Sequence, residues 1–235
     1  MTKTLKRVLD MDDPTRNRFV GFIDLMGFKD YVARNSHQTI YKELKKVFTE
    51  FKKDSLEEHY YSDGYKFYIF SDSIIFFTES EEIKDMQEFL RLMRILTERL
   101  LNETLPFRGG IAYGKMTVDA ENSIFFGQPL IDAFLLSEEL LFYGVAVHHT
   151  AEKQIRKDPD FKKRFIAYKS PMKGGQALHN IISPFIRFYN KFKVDEIIDG
   201  YRLKTSGSLR RYIDNTKDYL EYSFDYQNKY EKSKK

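Results

Sequence analysis

The chain has 235 residues, 42% hydrophobic and 16% aromatic, enough for one sizeable core with at most an appendage; with no cysteine, it excludes disulfides, thiolate chemistry and cysteine-based zinc sites. Its 39 basic and 35 acidic residues leave a net charge of +4, which is a balanced surface rather than a nucleic-acid footprint and still suits a polyphosphate ligand. No apolar run reaches the roughly 18 to 20 residues of a membrane span and the N-terminus lacks the apolar stretch of a secretion signal, so a cytoplasmic protein without stable membrane insertion is expected.

Phe19 to Asp24 reads as a strand, and Ile40, Leu44, Val47, Phe48 and Phe51 recur at helical spacing before a polar stretch ending near Asp63 and Gly64. Tyr65 to Phe70 and Ile74 to Thr78 are aromatic and β-branched runs on either side of Ser71-Asp72-Ser73, which predicts a hairpin with Asp72 at its turn. From Glu82 to Asn102 the set Ile83, Met86, Phe89, Leu90, Met93, Leu96 and Leu100 predicts a long amphipathic helix, with Ser80 near its start and Pro106 beyond its end. Phe107 to Gly114 then reads as a strand whose glycines allow close backbone approach.

The resulting order β-α-β-β-α-β is that of a ferredoxin-like split fold, in the α+β class. Beyond it the pattern predicts a helix over Leu130 to Leu141, a strand over Val145 to His148 and a helix over Thr150 to Arg156. Strands over Phe165 to Lys169 and Leu178 to Ile182 then extend the same sheet. Residues after Pro184 are helix-compatible, with Lys229 to Lys235 expected as a frayed basic tail. The expected organisation is an N-terminal arm over 1–18, a body over 19–182 and a helical extension over 183–235.

Asp24 and Asp72 each interrupt an apolar run that reads as a buried strand. A carboxylate beside a sheet core costs several kcal/mol to desolvate unless a cation or a set of donors compensates it. Either aspartate alone could cap a turn or helix. Two in similar settings, on strands the split order can make neighbours, point to a divalent-metal site, with Met26, Gly27 and Phe28 offering backbone N–H groups to phosphate.

These residues resemble the class III nucleotidyl cyclases. Asp24 to Phe28 fit that family's first metal motif, D-x-x-G-F, and Asp72 resembles its second metal aspartate in a hairpin turn, although the usual preceding glycine is Ser71 here. Arg108-Gly-Gly-Ile-Ala-Tyr-Gly114 is similar to the R-x-G-I-x-x-G strand. Gly127-Gln-Pro-Leu-Ile-Asp-Ala133 is similar to the G-x-x-V-N-x-A helix entry, and Met172-Lys-Gly174 to a late V-K-G segment whose lysine reaches the triphosphate. The resemblance spans Phe19 to Ile182 and implies a cyclase-type extension of the ferredoxin-like core. It also implies two divalent cations, Mn2+ or Mg2+, on Asp24, Asp72 and the Leu25 carbonyl, and a homodimer with composite sites.

Departures from the family pattern bear on the substrate. The helix Asn and Arg that bind ribose and stabilise the transition state in purine cyclases are Ile131 and Leu135 here. The adenine-selecting lysine is Tyr68, and its acidic partner is Ile124. A chain without purine determinants resembles the pyrimidine cyclases of Pycsar anti-phage defence. That implies UTP as substrate, with CTP the alternative, Tyr68 as base reader and a separate effector that senses the cyclic nucleotide. Tyr68 and Lys173 would come from the subunit opposite the aspartates. A degenerate nucleotide-binding or dimerisation domain is the rival reading, and a polymerase-like phosphotransferase a second, which the balanced charge disfavours.

Each remaining candidate also has a plain structural reading. Tyr68 could be core and Lys173 a solvated loop residue. Arg108 could pair with an acidic neighbour or bind phosphate bidentately. His148 and His149, adjacent on a predicted strand, would face opposite ways and are read as structural. Phe67, Tyr68, Phe70, Phe76 and Phe77 are read as sheet core rather than a base-stacking platform.

Overall fold

The computed structural model describes residues 14–57, 65–184 and 191–233. The first strand, β1 (Thr15–Leu25), is longer at its start than the apolar run alone suggests and takes in the end of the expected arm. Two helices follow, α1 (Phe28–Arg34) and α2 (His37–Glu57). The hairpin β2 (Tyr65–Phe70) and β3 (Ser73–Thr78) comes next, then α3 (Ile83–Asn102) and β4 (Phe107–Asp119). The polar stretch expected before Tyr65 falls largely outside the described residues.

The second half contributes β5 (Ile124–Gly127), α4 (Gln128–Glu139), β6 (Val145–Val147), α5 (His149–Ile155) and α6 (Phe161–Arg164). It ends with β7 (Phe165–Met172), β8 (Gly175–Ile182), α7 (Lys191–Arg202) and α8 (Arg210–Lys232). Among the described residues the strands form one sheet in the order β2-β3-β1-β4-β6-β8-β7, with β5 folded back on β4. The second half therefore extends the split core, as its strand pattern predicts.

Period-two alternation divides β1 between two faces. Phe19, Ile23 and Leu25 join the main core with Val47, Phe48 and Phe51 of α2 and Met86, Phe89 and Met93 of α3. Val20 and Phe22 turn to the opposite face, where Phe22 packs with Ala112 and with Ala133 of α4. Asp24 continues that second alternation, which puts it on the sheet face covered by α4. Close approach of α4 depends on Gly110, where a Cβ would lie 2.2 Å from the Ala133 carbonyl oxygen.

The C-terminal helices are integral to the main core. Val194, Ile197, Tyr201, Ile213, Tyr219 and Leu220 are buried in it. The Tyr201 hydroxyl donates to the Leu105 carbonyl at 2.9 Å, and the buried Tyr219 hydroxyl donates to the Ile182 carbonyl. The expected frayed tail is helical through Lys232, carried by α8; residues 234–235 lie outside the described residues. Among the described residues no helix is long and apolar enough to cross a membrane.

Candidate active site

Backbone register brings the two aspartates together. Asp24 lies opposite Ser73 of β3 on one side and Arg108 of β4 on the other. One rung on, the Leu25 N–H donates to the Asp72 carbonyl at 2.8 Å, tying the β2–β3 turn to the end of β1. Asp72 therefore lies in the turn directly beyond Ser73, the strand partner of Asp24. Ser71, which precedes Asp72, has φ +57°, a left-handed conformation that favours glycine and explains why the resembling motif has one there.

Arg108 is the hub of the site. Its Nε donates to Asp24 Oδ2 at 3.0 Å, one terminal nitrogen donates to the Glu138 carbonyl at 3.1 Å, and the other pairs with the Glu138 carboxylate. The second Glu138 oxygen lies 3.5 Å from Lys173 Nζ. Lys173 sits in the tight β7–β8 turn, and its backbone N–H donates to the Glu139 carbonyl at 2.9 Å. Asp24, Arg108, Glu138 and Lys173 thus form one alternating chain of charges. Arg108 does pair with acidic neighbours, as one of its two expected readings requires.

Glu138 is the residue that sequence reasoning misses. It falls outside every quoted motif, and only its place near the end of α4, whose start carries one of those motifs, hints at it. Of the three candidate N–H groups after Asp24, that of Met26 is engaged, donating to the Pro106 carbonyl at 2.9 Å. The Gly27 and Phe28 groups flank the left-handed Gly27, at φ +73°.

Tyr68 is on the Asp24 face, two residues before the Phe70–Ser73 pair. Its ring stacks on Phe77 at 5.8 Å and tilts against Phe125 at 4.8 Å, yet 37% of the residue is exposed. Phe76 and Phe77 are buried, as expected, but Phe70 is 81% exposed and is not core. The reason is positional: it ends β2 at the rim of the hairpin, where no helix among the described residues covers it. Ile124, Ile131, Phe134 and Leu135 are also exposed and form apolar surface.

The two adjacent histidines are not on a strand. β6 stops at Val147, the His148 N–H still bonds the Ile111 carbonyl at 2.7 Å, and His149 opens α5. The turn into the helix brings their rings to 4.1 Å rather than to opposite faces. His148 Nδ1 lies 3.0 Å from Thr150 Oγ1 and 3.8 Å from Asp132 Oδ2. Burial first, then His149, lower its pKa, against the opposing pull of Asp132.

Among the described residues no three His, Cys, Asp or Glu side chains gather as an all-side-chain metal site. The available donors at the aspartate end are hard oxygens: two carboxylates and the Leu25 carbonyl. That set fits Mg2+ or Mn2+, which commonly take one or two carboxylates and complete their shell with water and substrate phosphate.

No protein-family model and no curated protein matches the chain. Solved structures do. The catalytic core of a rhodopsin-guanylyl cyclase with converted specificity, in complex with ATPalphaS, aligns at TM-score 0.52 and 14% identity over 72% of this chain and 97% of that one. A bacterial light-regulated adenylyl cyclase aligns at TM-score 0.50 and 10% identity over 80% of this chain and 98% of that one. With its α+β sheet and helices arranged as in both, the chain has the fold of class III nucleotidyl cyclase catalytic domains.

Proposed function

We propose that this protein is a nucleotidyl cyclase that converts UTP, or alternatively CTP, to the 3',5'-cyclic monophosphate and pyrophosphate. The observation that carries the reading is Asp24 at the end of β1 with Asp72 in the adjoining β2–β3 turn, bonded to Leu25, and Arg108 directly opposite Asp24. The ribose 3'-oxygen attacks the α-phosphorus, the bond to the bridging oxygen of the β-phosphate breaks, pyrophosphate leaves, and the hydroxyl proton passes to solvent. Asp24, Asp72 and the Leu25 carbonyl would hold divalent ions that acidify the hydroxyl and neutralise the leaving group.

The protein's own share is positioning and charge. Arg108 and Lys173 bind phosphate oxygens, and the Gly27 and Phe28 N–H groups add donors. Tyr68 reads the base with a ring already held by Phe77 and Phe125 and a hydroxyl that can donate or accept. Ile124, Ile131 and Leu135, at the positions the resemblance matches to purine-cyclase determinants, offer no polar group to a purine, which supports a pyrimidine. Exposed apolar side chains on β2, β5 and α4 support a homodimer, with Tyr68 contributing to the partner's site, while Lys173, held against Glu138 of its own chain, serves the site of its own Arg108. The product serves as a second messenger in anti-phage defence, read by a separate cyclic-nucleotide-sensing effector.

One observation favours a second reading. Arg108 already neutralises Asp24, as it would in a domain that binds nucleotide without turning it over. Incubating the protein with UTP, CTP, ATP and GTP and Mn2+ or Mg2+, with products identified by mass, separates the two. A cyclic pyrimidine product, lost in Asp24→Ala and in Asp72→Ala, is expected. No cyclic product from the folded dimer refutes the enzyme reading.

A further inference from the structure

We infer that Glu138 is an internal counter-anion that occupies the phosphate cations in the resting protein and sets the site's affinity for polyphosphate. The inference rests on the reading of Arg108 and Lys173 as those cations. Glu138 bridges them, one carboxylate oxygen to each, as a phosphate group bridges two cationic side chains. Arg108 has acceptors on all three guanidinium nitrogens, and its side chain is only 12% exposed. Three of its five N–H groups are thus engaged, and a phosphate oxygen that binds on that side of Arg108 must replace an acceptor. The three present are the Asp24 carboxylate, the Glu138 main-chain carbonyl and the Glu138 carboxylate.

Of these the Glu138 side chain is the one free to leave. The main-chain carbonyl is fixed by α4, and Asp24 is fixed between Ser73 and Arg108 in the sheet. The Glu138 side chain is 32% exposed and can rotate toward solvent, as can Lys173 at 47%. Displacement of Glu138 places two cations and one departing anion at the entering phosphate. Until then the cluster of Asp24, Glu138, Arg108 and Lys173 has no net charge, so it attracts a polyanion weakly. The position thus trades affinity in the resting state for a charge change tied to substrate arrival.

The backbone makes the test clean. The Lys173 N–H bonds the Glu139 carbonyl, and the Leu141 N–H bonds the Pro171 carbonyl at 3.0 Å, so the β7–β8 turn stays on the end of α4 without the Glu138 carboxylate. Binding of inorganic tripolyphosphate, without nucleotide or divalent cation, is measured by calorimetry for the wild type and Glu138→Gln. Removing one like charge several Å from the ligand near the surface is expected to tighten binding about three- to tenfold. Glu139→Gln, which removes an equal charge one residue away from the bridge, should change it less than twofold.

Adding Lys173→Gln to Glu138→Gln should cancel most of the gain. Glu138→Asp, which keeps the charge but shortens the reach to Lys173, should give a smaller gain and covers the case in which the amide variant does not fold. Unchanged or weaker binding in either Glu138 variant overturns the inference, as does an equal gain in Glu139→Gln. Tripolyphosphate binding needs no turnover. A protein that makes no cyclic nucleotide yet gains affinity in Glu138→Gln would sink the cyclase reading and keep this one, and the reverse result would do the opposite.

Discussion

Gly110→Ala should be among the most damaging single-methyl additions in this protein, and Gly114→Ala, four residues along the same strand, should be tolerated. A Cβ at Gly110 meets the Ala133 oxygen at 2.2 Å, its carbonyl carbon at 3.0 Å and its Cα at 3.1 Å, all backbone atoms of α4. Relief requires the helix to move about 1 Å off the sheet, because no flexible side chain can yield, and a gap of that size forfeits a quarter to a half of each van der Waals contact across it. Overpacking costs about 1 to 3 kcal/mol, and a backbone clash belongs at the upper end, near 3 kcal/mol.

At Gly114 the nearest atoms are Pro129 Cδ at 3.6 Å and Cγ at 3.8 Å, ordinary contact distances. There the lost freedom of the unfolded chain should leave stability unchanged or raise it by up to about 1 kcal/mol. Urea unfolding of both variants measures the difference, expected to be about 3 kcal/mol or more. Equal costs at the two sites, or a Gly110→Ala within about 0.5 kcal/mol of wild type, would refute the claim that α4 sits on β4 through its backbone.

Ser71→Gly relieves a left-handed serine at the Asp72 turn and should raise stability by about 0.5 to 1 kcal/mol in thermal unfolding; a loss would mean the turn is not strained. Tyr201→Phe removes the buried hydroxyl bonded to Leu105 and should cost about 1 to 2 kcal/mol in urea, whereas a neutral result would mean that this hydrogen bond does not help hold α7 on the core. His148 has its pKa lowered from 6.5 in the folded protein, mainly by burial, so below that value the unfolded chain binds the extra proton first. Stability should therefore fall as pH drops below 6.5 and through the lower folded pKa, and less so in His148→Gln; an identical acid profile in that variant would exclude His148 as the cause.

The hairpin around Asp72 was legible because aromatic and β-branched runs flank a turn triplet, and α3 because seven apolar residues repeat at helical spacing. Both follow from local pattern alone. α1 was not legible, since seven residues from Phe28 to Arg34 have no buried face to leave a period. β5 escaped because its four residues alternate between exposed and half-buried, too short a run to mark a strand. The histidine pair departs from its expected strand placement for a related reason: strand hydrogen bonding reaches His148, but chain direction turns there, and composition carries no sign of the turn.

Site residues divide along the same line. Asp24, Asp72, Arg108 and Lys173 are marked by motifs, and three of them join one network through a fourth residue, Glu138, that no motif marks. Its role arises from the packing of α4 across β4, a contact between residues 30 apart in sequence. Phe70, Ile131 and Leu135 look like core by residue type, and only their positions on a hairpin rim and an outer helix face show them as surface.

The anchoring of Tyr219 to Ile182 spans 37 residues and sets a timetable for synthesis. Every strand of the sheet has been made before α8, yet Phe142 and Tyr168 are closed over by Tyr219 of that last helix. At ~5–20 residues per second, the aromatic floor stays uncovered for about 2 to 7 s after β8 emerges. In that interval the nascent chain carries a nearly finished sheet with an open apolar face, the species most prone to aggregate or to recruit a chaperone. Slow codons placed between β8 and α8 should therefore lower the soluble yield, while the same codons after α8 should not.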